Sequence, residues 1–355
     1  MRLNLFGLNI LKRQLNGLYS SNRSLSYVEK CRLIERLKAD DLECVRMLPH
    51  GKFMVYKGSR PLLKQKEKER NKSSTSYELN WLTYKDLLDH KDSVAQTAVL
   101  IDVDDSRTPR FGIQLKKRDE ESIDKLEKNT DGVFTDLRVS LFMVNWDDGQ
   151  LISRTNSLLR FNAEQLFCSV CQGKMIRNSA GNQRKCSECK TTVYPVSNPV
   201  GIVLVTDPCH EHAVLVRQHR LRPGWFTCIA GFGDVGESLE SIVKREVAEE
   251  VGLEVHSVEY VMSQHWPFPS SIMFGSYAVA ERTELSIDPS ELEDGRWFTR
   301  QELKEAVSRV DSNPNILATD PKEGIYIPPR GAVAYHLISR WLKNTNVKNI
   351  RQCVK

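Results

Sequence analysis

Short apolar runs and longer helical periods alternate along the second half of the chain. Val200–Val205 (VGIVLV) and His212–Val216 are rich in β-branched residues, as buried strands require. Over Ser238–Val251 the period changes: Leu239, Ile242, Val243, Val247 and Val251 recur at helical spacing, which predicts a helix. Val255–Ser263 and Ser271–Val279 return to strand patterning, and Ile325–Lys343 includes a terminal helix starting after Pro328 and Pro329. This alternation predicts a layered α/β domain over residues 196–345. Upstream the pattern is weaker. Lys52–Tyr56 and Thr97–Val103 read as strands, and Leu151–Leu166 as a helix with Leu151, Leu158, Leu159 and Leu166 in rough register. Residues 29–160 are read as one mixed α+β domain, with a charged, polar, solvated loop at Lys64–Ser76. There is no solenoid-length repeat and no run long enough to span a bilayer, so no membrane partner is expected.

Composition narrows this picture. With 355 residues, 40% of them hydrophobic, the chain can bury two sizeable cores. A net charge of +5 points only weakly to nucleic acid and suits anionic phosphate substrates equally well. Residues 1–28 contain no Asp or Glu, and Arg2, Lys12, Arg13 and Arg23 are interleaved with apolar and hydroxyl residues. That composition matches a mitochondrial transit peptide; an ordinary ragged terminus, with a cytoplasmic or peroxisomal protein, is the alternative. Residues 346–355 read as a tail.

Of the nine cysteines, four form two C-x-x-C pairs; Cys31, Cys44, Cys209, Cys228 and Cys353 are scattered. An odd total with such pairs reads as metal binding in a reducing compartment rather than a disulfide framework. Cys168-x2-Cys171 and Cys186-x2-Cys189 are separated by fourteen residues, with Gly173 and Gly181 where a ribbon must bend. Four thiolates close a tetrahedral zinc site with no open position, so the zinc of a ribbon over residues 161–195 is expected to be structural. Lys174, Arg177, Arg184 and Lys185 leave RNA binding by the ribbon open.

The segment Gly231–Leu253 carries the sharpest chemistry. Gly231, Gly233 and Gly236 permit a tight loop close to a phosphate, Ser238 can start the helix and Gly252 can end it. Glu246, Glu249 and Glu250 fall at i, i+3 and i+4, which puts three carboxylates on one helix face. Such crowding is unfavourable without a cation, and hard oxygen donors suit Mg2+ or Mn2+. A solvated acidic face is the plainer alternative, which the placed glycines and Arg245 argue against. Downstream, Ser263-Gln264-His265-Trp266-Pro267-Phe268-Pro269-Ser270-Ser271 interleaves aromatics with prolines. It can form a stiff wall for a flat ring or fill a core.

Gly231-x5-Glu237-x7-Arg245-Glu246-Val247-x-Glu249-Glu250-x-Gly252-Leu253 resembles the Nudix box at every defined position, and residues 263–271 resemble the NADH pyrophosphatase signature at seven of eight letters, His265 replacing a proline. The resemblance implies a Nudix α/β/α sandwich with a mixed sheet, preceded by the four-cysteine zinc ribbon and an N-terminal mixed α+β domain. It implies metal roles for Glu246, Glu249, Glu250 and Glu291 and for the backbone carbonyl of Ala230. Arg245 and Glu237 would orient the loop and helix. By the same likeness Gln264–Ser271 line the substrate pocket, that is Gln264, His265, Trp266, Pro267, Phe268, Pro269, Ser270 and Ser271, with Phe232 and Trp266 stacking on a ring. Ala334 would line the pocket, and Tyr194 would reach the substrate, across a dimer interface if the chain forms a homodimer. The implied reaction is metal-dependent hydrolysis of NADH, and of NADPH, to reduced nicotinamide mononucleotide and AMP or 2′,5′-ADP. Removal of an NAD cap from RNA and a non-catalytic zinc-ribbon binding module are the alternatives. Against the latter, every glutamate of the box is retained.

Overall fold

A computed structural model of the chain describes residues 24–66, 77–116, 120–313 and 324–344. Residues 1–23 of the expected leader, 67–76 of the expected loop, the tail and Cys353 lie outside the described residues. The chain forms two compact units from interleaved segments. One takes residues up to Tyr56, Trp81–Ser122 and Leu158–Tyr194; the other takes Lys57–Asn80, Ile123–Ser157 and Pro195 onward.

In the first unit, strand Lys52–Lys57 runs parallel to Pro109–Gln114, which pairs antiparallel with Val99–Val103. Phe53, Val55, Ile101, Phe111 and Ile113 are fully buried, and the Phe53 and Phe111 rings stack at 5.7 Å. Helix Tyr27–Ala39 starts on a capping box of Ser26 and Glu29. Thr97, expected in a strand, ends helix Lys91–Thr97 instead. Its hydroxyl donates to the Ser93 carbonyl one turn back (2.6 Å) and accepts from Gln114 N (2.9 Å) at the point where the helix ends. The cysteine ribbon, strands Met175–Arg177, Arg184–Cys186 and Thr192–Val193, belongs to this unit. Leu100 N donates to Ala180 O at 2.8 Å, Arg177 Nη1 to Gln96 O at 2.8 Å and Asn178 Nδ2 to Lys38 O at 3.2 Å.

The second unit contains the predicted layers. Its sheet runs in the order Val255–Trp266, Ser271–Ala280, Asn198–Thr206, His212–Gln218, Leu292–Thr299, with Ile229–Phe232 also paired to Asn198–Thr206. Asn198–Thr206 and Ser271–Ala280 are parallel; the other pairs are antiparallel, so the sheet is mixed. Because a strand alternates its side chains, each apolar run feeds two cores. Val203, Val205, Val214 and Val216 pack with Val243, Val247 and Val251 of helix Leu239–Val251. Ile202, Leu204, Ala213 and Leu215 pack with Phe298, Leu303, Leu337, Ile338 and Trp341, which include residues of helices Arg300–Ser312 and Val333–Lys343. Helices therefore cover both faces, an α/β/α sandwich. Lys64 and Gln65, expected in a loop, lie in strand Arg60–Gln65, paired to Tyr77–Leu79. The helix expected at Leu151 begins at Trp146, because Asn145 Oδ1 accepts from Asp148 N (2.9 Å) and caps it.

Candidate active site

Strand Ile229–Phe232 leads through a glycine loop into the acidic helix Leu239–Val251. Ser238 Oγ accepts from Ser241 N at 3.3 Å to cap the helix, and Gly252, with φ of +68°, ends it in the left-handed region that glycine tolerates. Arg245 ties loop to helix. Its Nε and Nη2 donate to the two carboxylate oxygens of Glu237 at 2.8 and 2.9 Å, and Nη2 also donates to Phe232 O at 2.7 Å. Glu237 in turn accepts from Asp234 N at 2.8 Å. The Arg245 guanidinium pulls the Glu237 carboxyl down to about 2.

The three helix carboxylates differ. Glu246 and Glu250 are 8% and 2% exposed, whereas Glu249 reaches solvent. Arg245 Nη1 donates to both Glu246 Oε1 (2.8 Å) and Glu249 Oε2 (2.9 Å). Burial, then the charges of Glu246, Glu291, Asp288 and Glu249, push Glu250 up to about 8. Burial also raises Glu246, against the pull of Arg245. Glu250 Oε2 is buried with no hydrogen-bond partner. The exposed Glu291 acts on both Glu246 and Glu250 through its charge. A Cβ on Gly231 would lie 1.9 Å from the Glu246 carboxylate, so only glycine fits there. An orphaned buried oxygen and four mutually repelling carboxylates form a donor set that suits a hard divalent cation. Their oxygens are not drawn together, however, because Arg245 holds Glu246 and Glu249.

The cysteines contrast with this. The four Sγ atoms lie within 4.8 Å of one another, the only such donor group among the described residues. Cys168 and Cys189 approach to 3.6 Å, Cys171 and Cys186 to 3.4 Å. The two knuckles are built alike: Cys168 N donates to Gly173 O and Cys186 N to Thr191 O, both at 2.9 Å, and Gln172 and Lys190 take positive φ. Arg177 and Arg184, two of the four basic residues available to RNA, are spent on carbonyls: Arg177 on Gln96 and Ala98, Arg184 on Asn162 and Met175. Cys31, Cys44 and Cys228 are free thiols. Cys209, half-buried beyond the end of strand Asn198–Thr206, is disulfide-bonded.

Beside the glycine loop lies a cavity of about 420 Å³. Ala230, Gly231, Phe232, Gln264, Trp266, Phe268, Ser271 and Ala334 line it. His265, Pro267, Pro269 and Ser270 are not among its lining residues. His265 lies in strand Val255–Trp266, where alternate side chains face opposite ways, whereas Pro267, Pro269 and Ser270 belong to the turn that follows it. His265 turns to the helix behind, with Nε2 2.9 Å from Ser157 Oγ, and its N–H donates to Gln150 Oε1, a bond that proline could not make. Ser270 Oγ donates to Val196 O. Gln264 pins the strand to the terminal helix: Nε2 donates to Gly331 O at 2.7 Å and Oε1 accepts from Val333 N at 2.8 Å. Tyr194 belongs to the other unit and is exposed. Two lining atoms, Trp225 Nε1 and Ser271 Oγ, are buried without a partner. Reading the sequence missed Trp225, Arg138 and Phe142 of helix Leu137–Met143, and Arg220 and Arg222 of the turn before Trp225. The basic run Arg220-Leu221-Arg222-Pro223-Gly224 was the available signal for the last two.

Residues 197–318 match the NUDIX domain model. The chain is 32% identical over 351 residues to a Caenorhabditis elegans protein named NAD-capped RNA hydrolase ndx-9, covering 91% of each chain. It is 33% identical over 361 residues to the mouse protein named mitochondrial NAD(P)H pyrophosphatase NUDT13, covering 98% of this chain and 99% of that one. The human protein of the same name is 33% identical over 92% of this chain and 94% of its own. Likeness at this level along nearly the whole length, added to the box geometry above, places the chain in the Nudix hydrolase family.

Proposed function

We propose that the protein hydrolyses the diphosphate bridge of NADH and NADPH, giving reduced nicotinamide mononucleotide and AMP or 2′,5′-ADP. One P–O bond of the bridge breaks and the oxygen of water joins one phosphorus. The observation that carries this reading is the adjacency of two features through Ala230, Gly231 and Phe232: an acidic helix with an orphaned Glu250 oxygen, and an aromatic cavity with unpartnered polar atoms. The printed names of the mouse and human relatives support the substrate.

In this reading Glu246, Glu249, Glu250, Glu291 and the Ala230 carbonyl hold Mg2+ or Mn2+, which supplies charge neutralisation at the diphosphate oxygens. Arg245 and Glu237 keep the loop and the helix in fixed relation. Gly231 lets the loop backbone approach the Glu246 carboxylate, and Phe232 and Trp266 offer ring faces to a base. Gln264 acts by holding the cavity wall rather than by reading substrate, since both ends of its amide are bonded to backbone. Zinc on Cys168, Cys171, Cys186 and Cys189 is structural, because four thiolates leave no open position. The acid-free residues 1–28 and the word mitochondrial in two relatives' names support a mitochondrial address. No helix among the described residues is long and apolar enough to cross a membrane.

NAD-cap removal from RNA breaks the same bond, and the name of the nematode relative supports it as a second reading. The two are separated by assaying AMP release from NADH, NADPH and NAD, and RNA 5′-end release from an NAD-capped transcript, with Mn2+ and with chelator. The first reading expects metal-dependent AMP from NADH at a kcat/KM at least tenfold above that for NAD-capped RNA. Absence of turnover on every dinucleotide would overturn it.

A further inference from the structure

The cavity has a polarity opposite to that of the helix beside it. Three arginines, Arg138, Arg220 and Arg222, are among its lining residues, and no Asp or Glu is. Among the described residues no ion pair joins Arg138 or Arg220 to a carboxylate. The Arg138 guanidinium lies over the rings of Phe268 (4.5 Å to the ring centre) and Trp266 (5.8 Å), which hold it at the cavity wall. Arg220 Nε donates to Gln218 Oε1 at 2.9 Å, which anchors that side chain within the same lining. Loss of water around Arg138, and then the charge of Arg220, lower the Arg138 pKa, so the two cations feel each other. Asp136, at the start of the same helix, offsets part of the Arg138 charge, but no carboxylate lines the cavity itself, so the guanidinium groups give its wall a net positive character that suits an anion.

We propose that Arg138 and Arg220, with Arg222 beside them, form a phosphate subsite that takes the 2′-phosphate of NADPH and sets the preference of the enzyme for the phosphorylated dinucleotide. The inference rests on the dinucleotide reading above. A compact phosphomonoester fits better than an RNA backbone, because the three cations gather at one cavity, with Arg220 and Arg222 exposed at its mouth, rather than along a surface track, and Arg177 and Arg184 of the ribbon are spent on carbonyls. Planar guanidinium groups match the phosphate oxygens in pairs, and a monoester carries more charge than a diester.

The test needs no turnover. Binding of 2′,5′-ADP and of AMP to the full-length protein is measured by calorimetry, for the wild type and for Arg220→Gln and Arg138→Gln, with thermal melts to verify folding. The wild type is expected to bind 2′,5′-ADP at least tenfold tighter than AMP, a difference of about 1.4 kcal/mol. Each substitution is expected to shrink that ratio at least threefold. In parallel, the ratio of kcat/KM for NADPH to that for NADH is expected to fall about tenfold in Arg220→Gln. Equal affinity of the wild type for the two nucleotides overturns the subsite even if NADH is hydrolysed. Preference for 2′,5′-ADP without any hydrolysis keeps the subsite and removes the reaction. A loss in Arg220→Gln confined to a short NAD-capped oligoribonucleotide reassigns the arginines to RNA and overturns the proposal.

Discussion

Two clusters of metal-type donors sit in this chain, and they are assembled differently. The four cysteine sulfurs already lie within 4.8 Å of one another, drawn together by two turns with the same hydrogen-bond pattern. The carboxylates of Glu246, Glu249 and Glu250 share a helix face by spacing alone, and Arg245 keeps two of them engaged. Thiols can approach closely without repelling, whereas ionised carboxylates cannot. The first cluster has the spacing of a site that could hold an ion with no ligand position left open. In the second, burial and then the neighbouring carboxylates push Glu250 up to about 8, a strain that a divalent cation would relieve.

The comparison can be broken most severely at the carboxylates. Glu249→Gln with Glu250→Gln is expected to lower kcat/KM for NADH at least 10³-fold, on the order of the loss from removing acid–base or metal groups, with a native circular dichroism spectrum. AMP release within tenfold of wild type would contradict the assigned site. Gly231→Ala is next. Its methyl must displace the Glu246 carboxylate, so kcat is expected to fall about 10²-fold, with a smaller effect on folding.

At the sulfur cluster the loss should appear as stability. Cys186→Ser removes one of four closed ligands and is expected to lower the melting temperature by at least about 5 °C and bound zinc by mass spectrometry to well below one ion per chain. Chelating Mg2+ or Mn2+ should leave zinc in place. The subtlest test sharpens the charge argument. Glu250 has a folded pKa above its unfolded value of about 4.3, so the metal-free protein loses stability as pH rises from there to about 8. Glu250→Gln cannot ionise. The difference in melting temperature, variant minus wild type, is expected to grow by at least about 2 °C between pH 5 and pH 9 in chelator and to be reversed by Mn2+. A difference that does not change with pH would mean that the repulsion is not stored there.

Much of the site was legible because it is local. Helix spacing places Glu246, Glu249 and Glu250 on one face, and Gly252 and Ser238 mark the helix ends, whatever the rest of the chain does. The C-x-x-C pairs announce their turns in the same way. Strand positions in the sandwich were legible from apolar runs, but their order was not. The parallel pairing of Asn198–Thr206 with Ser271–Ala280 joins segments some seventy residues apart. In the aromatic segment the sequence read as a wall, but strand alternation turned His265 away from the cavity, and Pro267, Pro269 and Ser270 fall in the turn after the strand, outside its lining.

The chain alone therefore determined the donor types, their spacing on helix and knuckle, and the layered class of the fold, because these depend on residues within a few positions of each other. Tertiary structure decided which charges stay apart and which crowd. Arg138 comes to the cavity from a helix some eighty residues before Arg220, and Glu291 acts on Glu250 from beyond two intervening strands. The physical reason is that electrostatic energy depends on distance through space and on lost water, neither of which is written in the order of residues.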